Sequence, residues 1–432
     1  MNIKNLSTML CALVLAMPAS AHDNDTDSTK SSRFTLGGYG EAVMSRNFYS
    51  DHFNRYKFPE NYKDDPAHGR FDIPHITVNM GYDFGHGWSV GMEIEFEHGG
   101  TGSAVEVDAD ESGEYEAETE KGGEVALEQF WVQKSFSKAV NLRLGEIVVP
   151  VGMTNKYHMP TEFFTVYRPE GENSILPCTW HQTGISLFGR VKDWRYEVQF
   201  LSGLDSERFG ASSFVHYGSN STYEFKQANS YAGAVRIDNY SVPGLRLSLS
   251  GYYGHTFNNT MRSHNADKYK DCKGALAIGS FDFMLNRWNL IVRGNVDYAH
   301  LGDAELISTF NNSFPKHSSQ DGSPSKRQPV ASNAVAAGIE AGYNVLSFFE
   351  GKIRPEQKLY VFGRYEYYDP MASSPNRVNY EWCRRNIWSA GLNYYPTRQI
   401  VIKGEYTHRS LTSPFNAEPA INLGVAFAGW FL

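Results

Sequence analysis

The segment WSVGMEIEFE, residues 88–97, alternates without interruption. Trp88, Val90, Met92, Ile94 and Phe96 are apolar, and Glu93, Glu95 and Glu97 hold the opposite parity. Successive side chains of a strand point to opposite faces, so this segment has one apolar wall and one anionic wall. Two architectures accept such a strand: the half-buried sheet of a soluble sandwich, and a closed barrel with lipid outside and water within.

The rest of the chain decides between them. Strand-like runs recur at 34–47, 70–83, 88–97, 124–136, 141–149, 183–191, 195–201, 230–237, 245–256, 273–283, 289–300, 333–344, 357–368, 384–395, 400–410 and 420–432, sixteen in all. Even-numbered runs are followed mostly by tight turns, FGHG, SKAV, KDW, NYSVPG, MLNRW and PTRQ, with a longer one near SFFEGKIRP. Odd-numbered runs are followed by longer excursions, including 98–123, 150–182, 202–229 and 301–332. An even strand number with short turns at one end and long loops at the other predicts an all-β fold, a transmembrane antiparallel β-barrel of about 16 strands. A soluble sandwich has no reason to sort its loops by side.

The alternation recurs wherever it is checked. Ile76, Val78, Met80, Tyr82 and Phe84 oppose Thr77, Asn79 and Asp83; Leu290, Val292, Val296 and Tyr298 oppose Arg293, Asn295 and Asp297. Trp88, Trp194, Trp288, Trp388, Tyr394 and Tyr395 gather near run ends, where amphipathic rings suit the headgroup zone. Mean hydropathy is only −0.45, which fits a barrel because alternate residues alone face lipid.

Residues 1–21 differ from the rest. Lys4, the apolar LCALVLAMP and the small-residue site Ala19-Ser20-Ala21 make a cleavable secretory signal, too short in its apolar core to span a bilayer. Residues 22–33 are then a flexible periplasmic lead, and 34–432 form the barrel. Cys178, Cys272 and Cys383 remain after cleavage, an odd count that builds no disulfide framework and shows no zinc-ligand spacing. No metal, cofactor or nucleic-acid site is expected.

The block GEIVVPVGMTNKYHMPTEFFTVYRPEGENSILPCTWHQTGISLFG, residues 145–189, runs from a strand through Pro150-Val151-Gly152 and the pair Phe163-Phe164 to a strand opening at Thr183-Gly184. With FTLGGYGEA and FDIPHITVNMGYDFGHGWSVGMEIEFEHG, it resembles the phosphate-selective porin O/P family over residues 34–200. That resemblance implies a sixteen-stranded, often trimeric channel in the outer membrane of a Gram-negative bacterium, in contact with lipid and lipopolysaccharide. It also implies a loop folded into the pore, with basic residues selecting anions such as phosphate.

On the water-facing parity this chain carries Arg190, Arg195, Arg236, Arg246, Arg293, Arg364, Lys403 and Arg409, interspersed with acids that include Glu93 and Glu95. These are the expected pore-lining residues; opposing basic and acidic ladders would set up a transverse field for dipolar solutes. Residues 150–182 are the expected constriction loop, with Lys156, His158, Glu162 and Arg168 as its charged and polar contributors. His158 and Glu162 lack a nucleophile or metal motif beside them, so no enzymatic activity is expected. In the acidic stretch 106–124, Thr119 stands where a calcium loop requires glutamate, which excludes an EF-hand. Glu114, Glu116, Glu118 and Glu120 alternate onto one face and read as a solvated loop or a looser divalent-ion site.

The function these features imply is passive diffusion of small hydrophilic solutes or ions. The alternative is a plugged barrel whose surface loops bind a ligand or partner.

Overall fold

The computed structural model describes residues 33–432 apart from 66–67, 109–115, 220–225, 261–268, 312–327, 350 and 374–376, with backbone alone for 53, 100–108, 116–124 and 377–379. The expected leader and all of the lead except Arg33 lie outside the described residues.

Seventeen strands form one antiparallel sheet that closes on itself. They are β1 (Phe34–Asn47), β2 (Gly69–Asp72), β3 (His75–Gly85), β4 (Trp88–Asp108), β5 (Glu116–Ser135), β6 (Asn141–Val148), β7 (His181–Val191), β8 (Trp194–Ser202) and β9 (Tyr231–Asn239). The circuit continues through β10 (Leu245–His255), β11 (Ala275–Arg287), β12 (Leu290–Leu301), β13 (Asn333–Asn344), β14 (Lys358–Asp369), β15 (Arg385–Tyr395), β16 (Ile400–Ser410) and β17 (Glu418–Trp430). β2 and β3 pair end to end with β1, at Val43–Arg46 and Phe34–Gly40 respectively, so together they make one stave interrupted at Ile73-Pro74. Pro74 has no N–H to give the ladder, which accounts for the break. The barrel therefore has sixteen staves, and β1 meets β17 from Gly37↔Trp430 to Asn47↔Ala420 to close it.

Parity is as the alternation requires. In β4, Glu93 and Glu95 are 2% and 4% exposed and face inward, while Trp88 on the other parity is exposed. In β10, Leu249 points outward at 63% exposure between the buried Ser248 and Ser250. The outer surface is a continuous apolar band, with Val198, Phe200, Val296, Ile339, Val361 and Leu423 among its members. A sheet closed on all sides with that exterior is a transmembrane barrel, since hydrocarbon leaves no partner for an open edge. No helix among the described residues is long and apolar enough to cross a membrane.

Short turns cluster at one end. Gly85, His86 and Gly87 have φ of 83°, 53° and 75°, and Gly85 donates its N–H to Asp83 Oδ1 at 2.7 Å. Two of these three left-handed positions are glycine, the residue that takes them without steric cost. At the opposite end, the connection expected as a loop over 98–123 is instead mostly ladder, with Gly102↔Gly122 through Asp108↔Glu116 in register. The tip, 109–115, and the side chains of the acidic stretch lie outside the described residues. Alternation in VEVD and EAETE suits a strand as well as a solvated loop, and pairing across the hairpin supplies the backbone partners. β4 has 21 residues, whereas about 9–11 tilted residues span a bilayer, so the hairpin stands well clear of the barrel.

Replacing Leu249 by Arg is expected to destabilise the barrel by about 2–4 kcal/mol, the cost of a cation on a mid-strand lipid face, while Leu249→Phe stays near neutral. Equilibrium unfolding in lipid vesicles measures both; equal losses would refute the facing of β10.

Candidate channel and its inward loop

The connection between β6 and β7, residues 149–180, is the structural centre of the lumen. Val149, Val151, Phe164, Val166, Ile175, Leu176 and Trp180 within it are each at most 1% exposed. A connection this buried needs partners for its peptide groups. They come from inward-facing side chains of the wall, so the loop runs inside the barrel.

The anchors lie round most of the circumference. Near its start, Gly152 donates its N–H to Ser250 Oγ of β10 at 3.1 Å and accepts from Arg236 Nη1 of β9 at 2.9 Å. In the middle, Lys403 Nζ of β16 donates to the carbonyls of Phe163 and Thr165 at 3.0 and 2.7 Å, and Asn393 Nδ2 of β15 donates to Phe164 O at 2.9 Å. The Phe164 ring stacks on Phe362 of β14, centroids 5.4 Å apart and planes 15° from parallel. Its seat against β13 is Gly342, where a Cβ would run into that ring. Tyr167 OH lies 3.0 Å from Ser45 Oγ of β1, and Arg168 Nη2 lies 3.8 Å from Glu95 Oε1 of β4.

The far end is clamped through α1 (Glu170–Ile175). Glu170 accepts from Arg409 Nε at 2.5 Å and from Tyr368 OH at 2.6 Å, and Arg385 Nη1 stands 3.5 Å away. Burial alone would raise this carboxyl, but Arg409 and Arg385 prevail and hold it down at about 2. Gly171 donates its N–H to Glu366 Oε2 at 2.7 Å.

The remaining loop residues expected at the constriction differ among themselves. His158 is buried, with Nδ1 3.1 Å from Asn155 O and its ring edge-on to Tyr39; burial lowers it to about 3, so it is neutral. Lys156 and Glu162 are half-buried. Burial pushes the Lys156 ammonium down to about 7, assisted by Arg195 and Arg143 and opposed by Glu197. Burial also pushes Glu162 up to about 8, against the Met159 N–H that it accepts at 3.3 Å.

The expected wall charges are mostly neutralised in pairs. Arg236 Nε meets Asp238 Oδ1 at 2.7 Å and its Nη2 meets Asp282 Oδ2 at 2.9 Å; Arg246 Nη2 shares Asp282 through Oδ1 at 2.6 Å. Glu340 lies between Arg293 at 2.7 Å and Arg364 at 3.1 Å, and Arg364 also reaches Glu366 at 2.6 Å. Arg195 is half-buried on the inward parity and forms no ion pair with a described residue, as is also true of Lys156. Arg190 has the inward parity but sits at the short-turn rim, exposed, donating Nε to Lys192 O at 3.0 Å with its guanidinium over Tyr240. Glu93 accepts from Gln129, and Glu95 Oε1 lies 2.7 Å from His75 Nδ1.

Sequence reading missed Asp238 and Asp282 as partners of these cations, although each lies on the inward parity of its strand. It also missed Glu128. A bulge in β5 opposite Glu93 and Ile94 breaks the alternation there and turns Glu128 inward, 3% exposed.

No family model matches the chain. It is 27% identical over 381 residues to an uncharacterized protein of Aquifex aeolicus (strain VF5), across 86% of this chain and 74% of that protein. Among solved structures it is similar to the anion-selective porin from Comamonas acidovorans (TM-score 0.52, 10% identity, 92% of this chain and 99% of that one). It is similar too to Salmonella typhi OmpF in complex with daunomycin (TM-score 0.55, 8% identity, 91% and 97%). The outer membrane channel DcaP of Acinetobacter baumannii gives a TM-score of 0.50 at 9% identity over 92% and 97%. At these identities the shared property is the barrel fold.

Gly342→Ala is expected to unseat Phe164 and cost about 1–3 kcal/mol by overpacking. Limited proteolysis within 149–180 should then accelerate, and a second change, Phe164→Leu, should restore protection by vacating the space.

Proposed function

We propose that this chain is an outer-membrane porin of a Gram-negative bacterium, exported through a leader cleaved after Ala21, through which small hydrophilic solutes or ions diffuse passively. The observation that carries the reading is the 149–180 loop, which enters the lumen from the long-loop end and is hydrogen-bonded across it to β9, β10, β15 and β16. A loop so placed narrows a barrel of this size without closing its wall. The resemblance of residues 145–189 to phosphate-selective porins and the barrel shared with an anion-selective porin support anions, phosphate included, as the favoured solutes. Trimeric assembly and contact with lipid and lipopolysaccharide follow from the same resemblance. No catalytic role is assigned.

The source of ion preference is narrower than eight basic wall positions suggest. Arg236, Arg246, Arg293 and Arg364 are neutralised by Asp238, Asp282, Glu340 and Glu366. Lys403 is occupied with loop carbonyls and Arg409 with Glu170. Lys156 and Arg195, gathered with Arg143 near the carboxylates of Glu197 and Asp238, are the cations left to attract a passing anion.

Deleting residues 156–172 is expected to raise single-channel current in planar bilayers. Unchanged current would refute the constriction. The plugged, surface-binding barrel is the second reading, favoured by the burial of Asp282, Asp297 and Asn393, each 0% exposed. A full-length protein that passes no ions, and passes them only after the deletion, would establish that reading instead.

Ion preference should also follow pH. Below about 7 Lys156 is charged and Glu162 neutral; above about 8 Lys156 is neutral and Glu162 anionic. Both changes make the constriction more negative as pH rises. Reversal potential in a salt gradient should therefore move toward cations between pH 6 and 9, and Lys156→Gln with Glu162→Gln should flatten the response.

A further inference from the structure

His75 opens β3 directly across the ladder from Glu97 of β4, and Glu95 lies two residues along on the same inward face. One ligand atom from each of these three side chains can be chosen so that all lie within 4.8 Å of one another. His75 follows the break at Ile73-Pro74, part-way along the stave that β2 and β3 share, and its side chain keeps 18% of its surface exposed. We infer that His75, Glu95 and Glu97 form a binding site for a divalent first-row transition-metal ion, set in the wall of the lumen.

A second observation points the same way. Glu128, which the β5 bulge turns inward, is 3% exposed, lies in hydrogen-bond contact with Glu95, and has an Oε2 with no hydrogen-bond partner. Glu93, 2% exposed, likewise has an Oε1 without a partner. Carboxylates crowded in this way need a shared proton or positive charge, because burial leaves little water to separate them. Arg168 supplies one cation, 3.8 Å from Glu95. A divalent ion would give the orphaned carboxylate oxygens of Glu93 and Glu128 a charged neighbour. An imidazole among carboxylates selects zinc, manganese, cobalt or nickel over calcium and magnesium, which take oxygen alone.

The test uses the full chain, without an affinity tag, folded in detergent, stripped with chelator and desalted. Titration with Zn²⁺ is followed by calorimetry, and Mn²⁺ by electron paramagnetic resonance. One ion per chain is expected, with nitrogen hyperfine structure on bound Mn²⁺. His75→Ala and Glu97→Gln should each weaken binding by about tenfold or more, the scale on which a metal site responds to losing a supporting group. His300→Ala, at an exposed position on β12, should leave binding unchanged. A heat-shifted band on a gel verifies that each variant is folded. Should His75→Ala fail to fold, Glu97→Gln and the nitrogen signal of the unaltered chain decide the matter. Absence of a stoichiometric ion, or equal affinity in the folded variants, would overturn the site.

Discussion

Everything in this molecule depends on the pairing of main-chain N–H and C=O groups where no water can reach them. In hydrocarbon an unpaired peptide group costs several kcal/mol, and a sheet with two free edges would present a row of them. Joining β1 to β17 from Gly37↔Trp430 to Asn47↔Ala420 removes both edges at once. Closure then dictates the side-chain arrangement, because a residue on a closed stave has only two places to go. Lipid selects leucine, valine and phenylalanine for one, and the interior collects the polar residues on the other.

The same demand extends to the loop. A segment that folds inward leaves bulk water and must find donors and acceptors on the wall. Lys403 and Asn393 donate to its carbonyls, Ser250 and Glu366 accept its N–H groups, and glycine at 342 makes room for Phe164. The inward wall residues thus fall into two groups: some face the lumen, and some hold the segment that folds into it. Lys403 belongs to the second group, although its charge and parity place it with the first.

That distinction marks the limit of what the amino-acid order discloses. Period-two alternation of the kind seen in 88–97 locates staves, faces and loop sides, because each follows from local sequence and the presence of a bilayer; the sixteen runs reappear, all but β4 and β5 with ends shifted by a few residues. The block 145–189 marks the inward segment through its length, its Phe163-Phe164 pair and its Pro150-Val151-Gly152 entry. Pairing is not legible, since it depends on which staves become neighbours and on stagger between them. Arg246 meets Asp282 only because β10 lies beside β11 in the register Arg246↔Met284. Glu128 was hidden for a different reason: a one-residue bulge reverses parity, and nothing in the order ALEQFW announces it. The extension of β4 and β5 was hidden too, because charged alternation serves a solvated loop and a paired ribbon equally well.

Glu340 offers a last consequence. One carboxylate holds two guanidinium groups, Arg293 on its own cross-strand neighbour and Arg364 on the other side. Such an arrangement conceals cationic character that a single codon change can uncover: loss of Glu340 bares one arginine entirely and leaves the other with Glu366 alone. The barrel needs no new residue and no change of backbone to acquire a different electrical temperament. The electrical character of the lumen is therefore within one mutational step of change, held in reserve inside a wall that otherwise looks neutral.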